Sequence, residues 1–202
     1  MTRTGRRPGQ SSTRAEIVVA AAEAFSTNGF DGSSVRQIAE AAGVDPALVR
    51  RFFGGKEQLF SAVMSDVFQP ENAVPMLLDG ARSTLGERLT TFVLTLLGDV
   101  TEPGPLLGLI RSAATSEHAA ALVRDFLANQ MLGNVTTQLG MDQPQLRAGL
   151  AASQLVGLAI TRYAVRVDAV AAAHPDELVQ WVAPTLQKYL TGRAPATDLT
   201  KG

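Results

Sequence analysis

The run "GVDPALVRRFFGGKEQLF" (residues 43–60) sets two arginines, Arg50 and Arg51, among residues that otherwise suit a core. A guanidinium fork matches guanine O6 and N7, and it matches phosphate oxygens equally well. Val49, Phe52 and Phe53 recur at three- and four-residue spacing, so a helix that buries them turns Pro46, Ala47, Arg50 and Arg51 outward. Two features support duplex nucleic acid over a merely solvated face. The arm through Arg14 carries Arg3, Arg6, Arg7 and Arg14 with no acid, and Gly55-Lys56 opens a helix whose backbone N–H groups suit a phosphate.

Other chemistries lack their residues. There is no cysteine, and the two histidines, His118 and His174, are far apart in the chain. "FFGGKEQ" lacks the upstream glycine and the Ser/Thr of a phosphate loop, and no carboxylate-histidine group has metal-ligand spacing. The sequence therefore predicts no catalytic residue, no metal and no cofactor, and it argues against an enzyme.

The elements that must position Arg50 and Arg51 are helical. Ser34 and Gln37 have capping-box spacing before "VRQIAEAA", Gly43 stops that helix, and Asp45 caps the next with Pro46 at its first position. Small Ala39, Gly43 four residues on, and apolar Ile38, Val44 and Val49 have the pattern of a helix-turn-helix. Upstream, Thr13 and Glu16 are spaced to begin a helix through "IVVAAAEAF" that ends at Gly29. Downstream, Gly54-Gly55 breaks the chain before a fourth helix from Lys56 to about Phe68. Pro70 and Pro75 then mark a loop or linker.

Composition bounds the rest. The 202 residues are 46% hydrophobic, enough for one large or two small domains with a core. Residues 1–60 hold 8 basic and 6 acidic side chains, net +2; the remainder holds 10 and 13, net −3, so an anionic partner should meet the N-terminal part. Without cysteine the chain needs no oxidising compartment, and no run of roughly 18 uninterrupted apolar residues is present, so a cytoplasmic protein without membrane contact is expected.

Beyond the prolines, Thr84 and Glu87 are spaced to cap "ERLTTFVLTLLG". "PLLGLIRSAAT", "AAALVRDFLANQMLGNVTTQL" and "QLRAGLAASQLVGLAITRYAVRV" follow, and His174-Pro175 opens a last helix ending at Gly192. Between Arg147 and Arg162 there is no charge. A helix apolar all round must be covered on all sides, and Ala148, Gly149, Ala152, Gly157 and Ala159 would admit a partner helix closely. That helix and the one bearing Trp181 are candidates for a homodimeric four-helix interface.

Residues 13–60, with "F…NGFDGSSVRQIAEAAGV" and then "F-x-x-KE-x-L" in order, resemble the N-terminal domain of the tetracycline-repressor (TetR) family. "ALVxxxFGxKE" resembles its actinobacterial-type branch. The C-terminal "LAASQLVGLAITRYAVR…PDELVQWVAPTLQKYLTG" is similar to the family's ligand-binding and dimerisation domain. The resemblance implies an all-α fold of about nine helices. Residues 1–12 would form a basic arm, 13–60 the helix-turn-helix domain, 61–192 the ligand-binding and dimerisation domain, and 193–202 a tail.

The same resemblance implies a ligand-responsive regulator, a repressor, that binds a palindromic double-stranded operator as a homodimer and leaves it when a small lipophilic effector binds. Ser34 and Arg36 match phosphate-contacting positions. Pro46, Ala47 and Arg50 match the groove-reading face, with Arg51 and Phe52 beside it and Lys56 on the backbone. Arg50 stands where the family commonly has Tyr, which shifts base preference toward guanine. Arg6 and Arg7 resemble arms that enter minor grooves, although a plain solubilising tail fits them as well. Phe92, Leu96, Ile110, Phe126, Gln130 and Gln154 are the expected pocket lining, and a simply packed core is the alternative reading there. The competing reading of the whole chain is a helical ligand-binding or adaptor protein with an architectural helix-turn-helix.

Overall fold

In a computed structural model that describes residues 9–194, every regular element is a helix. In chain order these are α1 (Gly9–Gly32), α2 (Val35–Ala41), α3 (Pro46–Phe53), α4 (Lys56–Phe68), α5 (Pro70–Leu78) and α6 (Leu85–Leu97), then α7 (Pro105–Thr115), α8 (Glu117–Asn129), α9 (Leu132–Gln138), α10 (Pro144–Ala159), α11 (Asp168–Ala172) and α12 (Pro175–Thr191). A 3-10 turn (Arg82–Thr84) precedes α6, and a π-helical turn (Ile160–Val165) continues α10. The arm with Arg6 and Arg7, and the tail beyond residue 194, lie outside the described residues.

The chain divides into two compact units, though not at residue 60. Residues 103–126, which hold α7 and most of α8, belong with the N-terminal unit; residues 70–102 and 127 onward form the other. The reason is packing on α1. Gly108 lies so close to α1 that an added Cβ would sit 2.6 Å from Ser26 Cα, and the Ser112 hydroxyl donates to the Phe25 carbonyl at 3.2 Å. Ile17, Ala21 and Phe25 of α1 are buried with Leu59, Phe60 and Val63 of α4, and the rings of Phe25, Phe30 and Phe60 meet at 5.1–5.9 Å between centroids. Each of those aromatic side chains contributes about 1.5–3 kcal/mol through burial.

In the C-terminal unit α12 packs chiefly on α6. Contact is backbone to backbone at Gly86, where a Cβ would lie 2.3 Å from the Ala183 carbonyl oxygen; the Gly86 N–H donates to Gln187 Oε1 at 2.8 Å. α10 packs on α9 and α12. With its π turn it forms a 22-residue helical stretch, Pro144–Val165, containing an 18-residue window of mean hydropathy 1.2, long and apolar enough by length and composition to cross a membrane. A count of uninterrupted apolar residues misses it, because Ser153, Gln154, Thr161 and Arg162 interrupt the run.

Several boundaries depart from the sequence reading. α1 begins at Gly9, so Thr13 lies within the helix and cannot cap it; Pro8 is the last residue before it that would break a helix. Pro70–Leu78 is a helix and not a linker: Pro70 stands at its first position, and Pro75 costs only one backbone donor in its second turn. Thr84 makes no capping bond to α6, since its hydroxyl donates to the Ala81 carbonyl and accepts from Arg88. "AAALVRDFLANQMLGNVTTQL" is two helices, and Gly133 lets α9 approach Ala128 so closely that a Cβ would sit 1.8 Å from its carbonyl oxygen.

Candidate nucleic-acid interface

The interface is built on α2 and α3. Ser34 caps α2 reciprocally with Gln37: the Gln37 N–H donates to Ser34 Oγ at 3.2 Å, and the Ser34 N–H donates to Gln37 Oε1 at 3.0 Å. Gly43 takes φ +66 in the turn, and the Val44 N–H donates to the Ala39 carbonyl at 2.9 Å. Asp45 Oδ1 then accepts from the Ala47 N–H at 2.7 Å and starts α3, with Pro46 at its first position. Ile38, Ala39 and Val49 are fully buried where the two helices meet, and Phe53 is buried behind them.

That packing settles the facing of α3. Ala47, Arg50 and Arg51 are exposed, Pro46 is half-buried, and Phe52 is half-buried with its ring edge-on to Phe53. Arg36 is exposed on α2. None of the three arginines forms an ion pair or a side-chain hydrogen bond among the described residues, so their donors are free for an external anion. Gly54, at φ +93, ends α3, and Gly55 opens α4 without a side-chain cap.

Lys56, expected on the DNA backbone, also has partners within the chain. Its Nζ donates to the carbonyls of Phe30 (3.1 Å) and Ser33 (3.2 Å) and sits 4.4 Å from the Phe30 ring centroid. Two of its three donors thus hold the junction of α1 and α2, and its first role is to position the reading unit. Three further residues belong to this bracing. Ser33 is buried and donates to the Ala24 and Gly29 carbonyls; Arg14 lies 4.9 Å from the Phe53 ring centroid; His118 stacks on Phe30 at 5.5 Å and pairs with Glu57 at 2.9 Å. The partners of Arg14 and His118 are far away in sequence, so no local signal announces those two.

The expected pocket and interface residues are placed as follows. Ile110 and Phe126 belong to the N-terminal unit, whereas Phe92, Leu96, Gln130 and Gln154 belong to the other. Phe126 is fully buried with its ring 5.3 Å from that of Phe68, and Gln130 is exposed. Two open clefts, one against Glu57 and His118 and one between α6 and α12 at Glu87 and Pro184, contain none of the six. Of the expected dimer residues, Ala148 and Ala159 are buried within their own unit, Ala152 is half-buried, and Gly157 and Trp181 are exposed. α10 does have two faces; its apolar composition hid which was which.

A family profile described as bacterial regulatory proteins of the tetR family matches residues 17–63, and a tetracyclin repressor-like C-terminal domain matches residues 83–190, over half of the chain. The chain belongs to the tetracycline-repressor family. Among solved TetR-family structures, a regulator from Streptomyces coelicolor A3 is 31% identical, with 93% of this chain and 99% of that one covered and a TM-score of 0.61. Salmonella enterica GusR, 18% identical over 94% and 98% of the two chains with a TM-score of 0.62, shares the fold. The HTH-type transcriptional repressor NicS of Pseudomonas putida is 35% identical over 71 residues, which span 35% of this chain and about a third (34%) of that relative. The TetR identity makes this a member of a family of transcriptional regulators, and the match at residues 17–63 covers α2 and α3 entire.

Proposed function

We propose that this TetR-family chain is an operator-binding repressor that acts as a homodimer and is released by a small-molecule effector. The observation that carries the proposal is the set of three exposed arginines, Arg36, Arg50 and Arg51, without partners among the described residues, on a capped helix-turn-helix. Arg50, with Pro46 and Ala47, reads the major groove, beside Arg51 and Phe52, and its fork favours guanine. Arg36 and the Ser34 turn set the register on phosphates, and Arg6 and Arg7 of the arm add minor-groove affinity. The resemblance of the "ALVxxxFGxKE" stretch to the actinobacterial-type branch supports assigning the chain to that branch within the family. The protein works in the cytoplasm, without catalytic chemistry.

Dimerisation is supported by the free face of α10 and α12. Leu146, Leu150, Val165 and Trp181 are exposed, and Trp181 reaches 76%. Gly149 and Gly157 interrupt the same face, and a Cβ at either would meet no atom within 4 Å. A mid-helix glycine costs roughly 1 kcal/mol relative to alanine, and nothing inside the chain asks for that cost here. Close approach of a second copy does. The exposed apolar face also gives the Pro144–Val165 stretch a protein partner in place of lipid. Two-fold symmetry then predicts a palindromic operator with half-sites about one helical turn apart or more. An effector that favours another spacing of the two α3 helices weakens binding by its differential affinity for the two states.

The test is a gel shift at fixed salt on a promoter fragment, wild type against Arg50→Ala. Sequence-selective binding that Arg50→Ala reduces supports the reading, and unchanged affinity for the specific site overturns the assignment of the groove face.

A further inference from the structure

Two buried arginines lie near the ends of the Pro144–Val165 helical stretch, and they are accommodated differently. Arg147, 6% exposed, has a carboxylate: Asp142 Oδ1 accepts from its Nε at 3.0 Å and from Nη2, while Nη1 donates to the Tyr189 carbonyl at 2.7 Å. Arg162 is also 6% exposed and its guanidinium carbon lies 5.7 Å from the Tyr163 ring centroid, yet among the described residues only its Nη1 is hydrogen-bonded, donating to the carbonyls of Val170 (2.7 Å) and Ala173 (2.9 Å). Its Nε is buried without an acceptor among the described residues, and no described carboxylate pairs with it. A buried arginine is rarely left so, because a desolvated guanidinium needs both charge and acceptors.

The backbone around Arg162 is unusual as well. It lies in the π-helical turn Ile160–Val165, a form that concentrates at functional sites, and Arg166 closes that turn at φ +56 without being glycine. The Tyr163 hydroxyl donates to the Gly98 carbonyl at 2.7 Å, which brings the loop after α6 to the same place. α11 has no buried residue, and Arg162 Nη1 is bonded to its Val170 carbonyl and to that of Ala173 just after it. Asp99 follows Gly98 but is exposed and turned to Thr101, whose N–H and hydroxyl both donate to its Oδ1.

In a guanidinium the Nε–H and one Nη2–H point the same way at the spacing of two carboxylate oxygens. Arg147 turns the same edge to Asp142, where the one oxygen Oδ1 accepts from both nitrogens. We propose that the Nε–Nη2 edge of Arg162 anchors the carboxylate of a small organic acid, admitted as α11 shifts aside, and that this acid is the effector. The effector clause rests on the repressor reading above; the binding clause does not.

The experiment follows the Arg162 Nε–H resonance of the full-length protein in 1H–15N spectra. Benzoate and hexanoate are titrated at constant ionic strength, with benzamide and hexanamide as uncharged counterparts. The expected result is a saturable shift with at least one carboxylate and with neither amide. Arg162→Lys keeps the charge but loses the fork, and should weaken binding about tenfold or more. Asp99→Asn removes a competing negative charge and should tighten it about two- to fivefold. If Arg162→Lys fails to fold, the wild-type titration and Asp99→Asn decide.

No saturable shift with either acid overturns the site, as does binding that Arg162→Lys and Asp99→Asn both leave unchanged. A resonance that answers to protein dilution and not to acid also overturns it, by giving the edge to the partner subunit. A gel shift on the same samples separates the two readings. Operator binding with no acid binding sinks this inference alone, and acid binding that leaves operator affinity unchanged removes the effector clause.

Discussion

In the N-terminal unit Arg36, Arg50 and Arg51 stand in solvent and the phenylalanines 25, 30 and 60 are buried. In the C-terminal unit Arg147 and Arg162 are buried, while Trp181, Leu146, Leu150 and Val165 are exposed. Each unit thus exposes the kind of side chain that its proposed partner needs. Exposed guanidinium groups without internal partners suit a polyanion in water, and an exposed apolar face with bare glycines suits another protein surface. The same residue type, arginine, therefore has opposite duties in the two units.

That contrast is open to attack by substitution. The largest effect is expected at Arg147, because Arg147→Met removes a buried guanidinium from an exposed Asp142 carboxylate and leaves the Tyr189 carbonyl without its donor; chemical denaturation should show a loss of about 2–3 kcal/mol. Arg50→Ala should leave folding stability within about 0.5 kcal/mol, yet cost about 1–3 kcal/mol of discrimination for the specific operator by gel shift. Equal effects on stability at the two positions would abolish the distinction. Trp181→Arg should weaken self-association by about 2 kcal/mol or more, read by sedimentation, without lowering secondary structure.

Lys56→Met sharpens the boundary between reading and bracing. It should cost about 1–2 kcal/mol of stability by releasing the Phe30 and Ser33 carbonyls, while the salt slope of DNA binding stays as in wild type. The smallest effect is at Asp99. Its carboxyl is held below the usual value, first by the Thr101 N–H, then by the Thr101 hydroxyl, with the charge of Arg162 adding less. A lowered carboxyl contributes above its unfolded pKa and loses that contribution as pH falls through the folded one, so the window lies at and below the ordinary value of 3.8. Thr101→Val removes the hydroxyl and should move the Asp99 titration, followed by NMR, back toward that value.

How far the fold could be read from the sequence follows from the range of the interactions. The Ser34–Gln37 and Asp45–Ala47 caps, the Gly43 turn and the Val49–Phe53 face all act within five residues, and each stands where the sequence places it. Lys56 was legible as a cation at a helix start, but its acceptors are 23 and 26 residues back, which only folding brings together. In α10 the run of alanines, glycines and leucines has no phase, so Ala148 and Ala159 read like Gly149 and Gly157. The structure buries the first pair and exposes the second. Nothing local in the sequence shows that α7 and most of α8 return to the N-terminal unit, which divides the six expected lining residues between the two units.

The sockets at Gly86 and Gly108 bear on how genetics in this protein is to be interpreted. At each, a single added carbon would land 2.3–2.6 Å from a neighbouring atom, so every other amino acid forces helices apart. On the proposed repressor reading, a screen for derepressed colonies will return hits at these two codons although neither glycine lies on α2 or α3. Such alleles should be temperature-sensitive and scarce in the lysate, and an immunoblot will sort them from true operator-contact mutants.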